Sequence, residues 1–151
     1  MKAIIQRVNQ ASVTVDNKVV GSIEKGFLVL LGVFSKDTRT EAELLAKKTA
    51  QLRVFCDQND KMNLSALDID GEILAVSNFT LCADVKKGNR PSFVNAMPPQ
   101  TANELYEYYC ECLKDIGICK VEKGVFGADM TVNMEGNGPV TITLDTEIWS
   151  K

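Results

Sequence analysis

The chain has 151 residues, 45% of them hydrophobic, with a formal net charge of −3 and no histidine. That is enough for one ordinary domain with a proper core, spanning residues 1–151, and it gives no global basic field of the kind that points to nucleic acid. Without histidine there is no Ser-His-Asp or Cys-His apparatus and no His-liganded metal, so any chemistry must use hydroxyls, amides, carboxylates, lysines, backbone dipoles or the substrate.

The first third reads as strands. Ile4 to Val8 comes first, then Ser12 to Val15, a turn at Asp16-Asn17, and Val19 to Ile23. Phe27 to Val33 is a continuous apolar run, best explained by a strand covered on both faces. Thr38-x-x-Glu41 has capping-box spacing, and Ala42, Leu45, Ala46, Thr49 and Leu52 follow at helical intervals. Arg53 to Cys56 is a short strand and Asp57 to Lys61 a polar loop. Glu72 to Val76 is a buried strand that runs into Ser77-Asn78-Phe79-Thr80-Leu81. Residues 84–95 form a polar, basic loop. A second helix follows Pro98-Pro99, with Ala102, Leu105, Tyr109, Cys112, Leu113 and Ile116 as its apolar stripe and Gly117 at its end. Two more strands, Asp129 to Met134 and Val140 to Leu144, close the chain. The expected fold is α/β: a single layered domain of mixed, largely antiparallel sheets with two main helices packed on one face.

Cys56, Cys82, Cys110, Cys112 and Cys119 are odd in number and form no C-x-x-C pair. Reduced, mostly buried thiols in a cytoplasmic protein are expected, with no disulfide framework and no metal site. The start, Met1 to Arg7, lacks a signal-peptide core, and no apolar run approaches the ~20 residues of a membrane span.

Several segments are candidates for chemistry, each with a plainer alternative. Gly136-Asn137-Gly138-Pro139-Val140-Thr141 reads as a rigid loop with bare backbone, where main chain can meet a ligand, or as an ordinary turn. In an extended segment Ser77 and Phe79 face one way, Asn78 and Thr80 the other. A strand end there can cradle an oxyanion, or its hydroxyls can satisfy local backbone. Lys86, Lys87 and Arg90 can grip phosphates or simply be solvated. Cys82 reads as inert packing, since no histidine is present to make a thiolate. Arg7, amid strand alternation, either has a fixed partner or reaches water from an edge.

Taken together, Ser77-Asn78-Phe79-Thr80-Leu81 with Gly138-Pro139-Val140-Thr141 resembles the motif pair of the D-aminoacyl-tRNA deacylase family, first called D-tyrosyl-tRNA deacylase. The likeness covers essentially the whole chain. It includes Ile5-Gln6-Arg7-Val8, Lys61-Met62-Asn63-Leu64, Gly88-x-Arg90-Pro91-Ser92-Phe93 and Phe126-Gly127-Ala128-Asp129-Met130. The resemblance implies a homodimer that hydrolyses the ester of D-aminoacyl-tRNA, and of glycyl-tRNA, with no cofactor and no role for DNA or membrane. It implies a cis Gly138-Pro139 peptide that enters the partner subunit's active site and rejects L-aminoacyl groups, with Arg7 holding the loop.

Val140, Thr141, Asn78, Phe126 and Met130 would complete the substrate site, with Lys86, Lys87 and Arg90 on the tRNA. Amides near Phe79 and Thr80 would hold the oxyanion, with Ser77 shaping the pocket. Either the ribose 2′-hydroxyl of the substrate positions water, or Thr80 acts as nucleophile. Two positions depart from the family pattern. Asn78 stands where Gln is usual, and Gly136 where Asn is usual; Asn137 carries an amide that can take over, and the sequence leaves this open. The alternative is a non-catalytic, dimeric RNA-binding module.

Overall fold

The computed structural model describes residues 1–149. In chain order its elements are β1 (Lys2–Val15), β2 (Lys18–Ile23), β3 (Gly26–Gly32), α1 (Arg39–Gln51), β4 (Phe55–Cys56), β5 (Met62–Leu64), β6 (Glu72–Ser77), a 3-10 turn (Phe79–Cys82), α2 (Pro99–Ile116), β7 (Val121–Lys123), β8 (Thr131–Asp145) and α3 (Thr146–Trp149). Strand β1 organises the main sheet. Its first half pairs with β3 and its second half with β2, while β8 runs antiparallel along its other edge. β3–β6 and β6–β7 are parallel, so the sheet is mixed, as expected.

Side chains alternate across a strand, and here the alternation sorts residues into two cores. Ile5, Phe27, Val29, Leu31, Ile73 and Ala75 face the larger one, under the helices. Val8, Val13, Leu28, Leu74 and Val76 face a smaller one on the opposite side. Burial on both faces is why Phe27 to Val33 shows no polar alternation. Helix α1 begins with the expected capping box at Thr38 and Glu41. Both main helices bury apolar faces in the larger core. The apolar face of α2 also includes the fully buried Tyr106 and Cys110, while Cys112 and Ile116 are only half-buried.

Two tyrosine hydroxyls pin the layers. Tyr106 donates to the Ala75 carbonyl at 2.7 Å, tying α2 to the sheet. Tyr109 donates to Thr49 Oγ1 at 3.0 Å, and that hydroxyl donates to the Leu45 carbonyl at 2.8 Å. Thr49→Val keeps the shape but leaves the buried Tyr109 hydroxyl without its acceptor. An unfolding free energy lower by about 1–3 kcal/mol is expected by denaturant titration, with Tyr109→Phe recovering part of it in the double variant.

Four local expectations need correction. First, Ile4–Val8 and Ser12–Val15 belong to one strand. Second, residues 129–134 and 140–144 are not joined by a free loop: β8 is continuous from Thr131 to Asp145. Val8 pairs with Gly136 and Gln6 with Thr141, so Asn137 to Val140 all stand opposite Arg7. A bulge of this kind absorbs Pro139, which has no N–H to give to a ladder. Third, Ser77 ends β6, and Phe79 to Cys82 turn into a 3-10 coil instead of staying extended. The short strand predicted from Arg53 is limited to Phe55–Cys56.

Candidate active site

The ends of β3 and β6, the 3-10 turn, residues 93–99, the start of α2 and residues 126–132 enclose a cleft of about 660 Å³. Ser77, Asn78, Phe79, Phe126 and Met130 line it, together with Leu30, Leu31, Met97, Pro98 and Ala102 among others. The walls are largely apolar, and no side chain in them ionises near neutral pH. Polar character comes instead from Ser77, Asn78 and main chain, the usual makeup of a small-molecule site.

The backbone at the cleft floor is placed by the sheet. Asn78 donates its amide to the Leu31 carbonyl at 2.8 Å, extending the β3–β6 ladder by one residue. The turn then folds back tightly: a Cβ on Gly32 would lie 2.8 Å from Leu81 Cβ. The first amides of a helical turn have no acceptor within it, which leaves Phe79 N–H and Thr80 N–H without a partner inside the turn. Thr80 itself is exposed, is not part of the cleft wall, and gives its hydroxyl to Asn78 Oδ1. Cys82, the last residue of the turn, donates to the Val33 carbonyl, and burial pushes its thiol up to about 11. It is a packed thiol, as the sequence reading favoured.

The second motif lies elsewhere in the same chain. Gly138, Pro139, Val140, Thr141 and Arg7 are not among the residues of the cleft wall. The Gly138–Pro139 peptide is cis, and Gly138 has φ +125°, with Arg7 Nη2 only 3.2 Å from where a Cβ would stand. Arg7 is the hub. Its Nε donates to the Asn137 carbonyl at 3.2 Å, Nη2 to Asn137 Oδ1 at 3.0 Å, and Nη1 to the Val54 carbonyl at 2.6 Å. Asn137 Nδ2 donates to Asn9 Oδ1, and Asn9 Nδ2 to Glu135 Oε1. Thr141 donates to Gln6 Oε1 at 2.7 Å. The amide at position 137 thus makes the bracing contacts open to a side chain there, while Gly136 carries none.

The profile of the family described as D-Tyr-tRNA(Tyr) deacylase matches residues 4–145. The chain belongs to this deacylase family. Its relatives include proteins named D-aminoacyl-tRNA deacylase from Thermosipho melanesiensis, 51% identical over 97% of this chain and 98% of that one, and from Geotalea daltonii, 53% identical over 97% of each. Among solved structures, one named c-Myc DNA Unwinding Element Binding Protein superposes with a TM-score of 0.91 at 43% identity, covering 96% of this chain and 98% of that one. Another, described as a probable eukaryotic D-amino acid tRNA deacylase, gives a TM-score of 0.80 over 95% of this chain and 97% of that one; at 18% identity it speaks for the fold alone.

In this deacylase-family chain, Lys86, Lys87 and Arg90 are all exposed, on a loop closed by paired backbone bonds between Asp84 and Ser92. Sequence reasoning missed Glu135 and the Val54 carbonyl, which come from distant elements, and Asn9, which lies two positions from Arg7 on the same strand but joins it only through Asn137. Gln6 and Phe93 were visible inside quoted motifs, without a role.

Proposed function

We propose that the chain is a homodimeric, cytoplasmic deacylase that hydrolyses the ester joining a D-amino acid, or glycine, to the tRNA 3′ end. One observation carries the reading: a rigid bulge, Asn137 to Val140, is braced by Arg7 on an outer strand instead of in its own chain's cleft. Among the described residues β8 pairs only with β1, which leaves its other edge open over a 15-residue strand. An open edge of that length is a surface for a second copy. In a dimer the partner's Gly138 and Pro139 then complete the cleft bordered by Ser77, Asn78, Phe79, Phe126 and Met130.

The chemistry follows from the groups present. The aminoacyl ester is activated, so positioning and oxyanion stabilisation suffice. Water adds to the carbonyl carbon; the new oxyanion accepts from Phe79 N–H and Thr80 N–H. The ribose 2′-hydroxyl of the terminal adenosine orients that water. Collapse breaks the bond to the 3′-oxygen, which takes the proton and leaves, giving free amino acid and tRNA. Thr80 supports the turn through Asn78, a role consistent with a hydroxyl already committed to the Asn78 side chain.

Selectivity needs an object placed where the wrong side chain must go, because D and L groups are chemically identical. The carbonyls of a braced Gly138–Pro139 segment would block an L side chain and strip its solvation, while tolerating many D side chains. Glycine has nothing to exclude.

The test is hydrolysis of D- against L-tyrosyl-tRNA, with glycyl-tRNA as third substrate. Turnover of D- and glycyl- but not L-tyrosyl-tRNA is expected; binding without turnover would favour an RNA-binding module. Because the cleft walls hold no group that ionises near neutrality, kcat should show no protein-derived inflection between about pH 6 and 8. A bell-shaped kcat profile would bring a protein acid or base into the reaction.

A further inference from the structure

We propose that Phe79 and Phe93 form a stacking platform for the base that precedes the terminal adenosine of the tRNA, with Lys86, Lys87 and Arg90 taking the phosphates beyond it. This rests on the deacylase reading and extends it from the aminoacyl end to the single strand that carries it. The two rings meet edge to face, with centroids 4.9 Å apart and an angle of 62°. Both line the cleft, yet Phe79 is 59% and Phe93 37% exposed, so the pair forms its rim. Neither ring is needed to seal a core. Isolated exposed apolar side chains are ordinary, but two aromatic rings in contact at the mouth of a cleft are a surface that a planar group can cover.

Charge singles out the occupant. Between Ser77 and Asn103 the sequence carries Lys86, Lys87 and Arg90 against the single carboxylate Asp84, a local balance of 3 − 1 = +2 in a chain of net −3. Asp84 accepts from the Lys86 amide at 2.9 Å, and its backbone pairs with Ser92 in both directions, at 2.8 and 2.9 Å. That closure places the start and end of the basic loop next to Phe93. Among the described residues none of the three cations is in an ion pair. The order from inside to outside is therefore apolar cleft, aromatic rim, cationic loop. Aromatic faces beside a positive track are how proteins hold single-stranded nucleic acid, base on ring and phosphate on cation. With the aminoacyl group and terminal adenosine in the cleft, the next base meets the rim.

The experiment compares D-tyrosyl-tRNA with D-tyrosyl-adenosine, which lacks the preceding base, in wild type, Phe93→Leu and Phe93→Tyr. Phe93→Leu should raise KM for the full tRNA by about tenfold more than for the adenosine ester, with kcat on the tRNA nearly held. Phe93→Tyr, which keeps the ring, should restore the wild-type ratio. In parallel, the trinucleotide CCA should shift the Phe93 ring resonances of the wild-type protein, and adenosine alone should not. Equal losses on both substrates, or equal ring shifts by CCA and adenosine, would overturn the platform while the deacylase reading stands. Hydrolysis of neither substrate by the wild type would overturn the deacylase reading and the platform with it.

Discussion

Phe79→Pro is expected to lower kcat on D-tyrosyl-tRNA by about 10²–10³-fold, the usual cost of removing one oxyanion donor. Proline deletes the amide hydrogen and changes little else in the backbone. Phe79 is the first residue of the 3-10 turn, where an N–H has no acceptor within the turn and proline's fixed φ is tolerated. The preceding Asn78, at φ −148° and ψ 87°, is already outside the helical region that a following proline disfavours. Phe79→Leu is the control: it loses the ring but keeps the amide, and should retain most of kcat. Circular dichroism and the melting temperature check that the turn survives. If Phe79→Pro and Phe79→Leu have the same kcat, the Phe79 amide does not carry the oxyanion.

Gly138→Ala is expected to lower the D/L rate ratio by tenfold or more, and to cost less in stability than in selectivity. Gly138 sits at φ +125°, a region that L side chains rarely adopt. A Cβ there would lie 2.8 Å from Val140 N and 3.2 Å from Arg7 Nη2. The backbone must therefore move, and it moves against the group that holds it. The guanidinium is rigid, with three of its nitrogens committed to the Asn137 and Val54 oxygens, so displacement loses charge-assisted bonds of about 1.5–3 kcal/mol each. At 1.4 kcal/mol per tenfold, loss of even one such bond's worth of positioning reaches the predicted change. The bulge is on an outer strand and reaches the larger core only through the partly buried Val140, so the cost in stability is confined to that edge. Rates on D- and L-tyrosyl-tRNA, measured beside the thermal midpoint, give both quantities; an unchanged ratio would remove the bulge from chiral selection.

Much of this was legible in the sequence where a pattern is local. The capping box at Thr38, the apolar run of β3 and the end of α2 at Gly117 each follow from neighbours within a few residues. The Gly138-Pro139 pair was different: its neighbours fit a bare rigid loop or an ordinary turn alike, and the cis peptide was expected from the family resemblance alone. What was not legible came from distant pairing. A Gly-Pro pair between two strand patterns reads as a loop, and only the unbroken length of β1 shows that both halves belong to one bulged strand. The 3-10 turn at Phe79 was hidden because Ser77 to Leu81 has no helical spacing; the close approach of Gly32, 45 positions before Ser77, is what the turn packs against. Arg7 was recognised as needing a partner, but its acceptors lie 47 and 130 positions away. Whether Asn137 takes over from the amide missing at Gly136 was open in the sequence; in the structure the Asn137 side chain stands between Arg7 and Asn9 and bonds both.

The central claim is that each cleft is finished by the other subunit's Gly138–Pro139 bulge, and mixed dimers test it most directly. Phe79→Pro disables a cleft and leaves its bulge intact; Gly138→Ala spoils a bulge and leaves its cleft intact. Co-expressed with different affinity tags and purified through both, the pair gives dimers with one variant of each kind. If the bulge acts on the partner's cleft, every mixed dimer has one site in which both parts are native. Its hydrolysis of D-tyrosyl-tRNA should then return to about half the wild-type rate per dimer, with the wild-type D/L ratio. If the bulge acts on its own chain, the one working cleft of every mixed dimer is finished by its own spoiled Gly138→Ala bulge; the rate on D-tyrosyl-tRNA would again be about half, but the D/L ratio would stay at the lowered value of the Gly138→Ala parent, so the ratio decides.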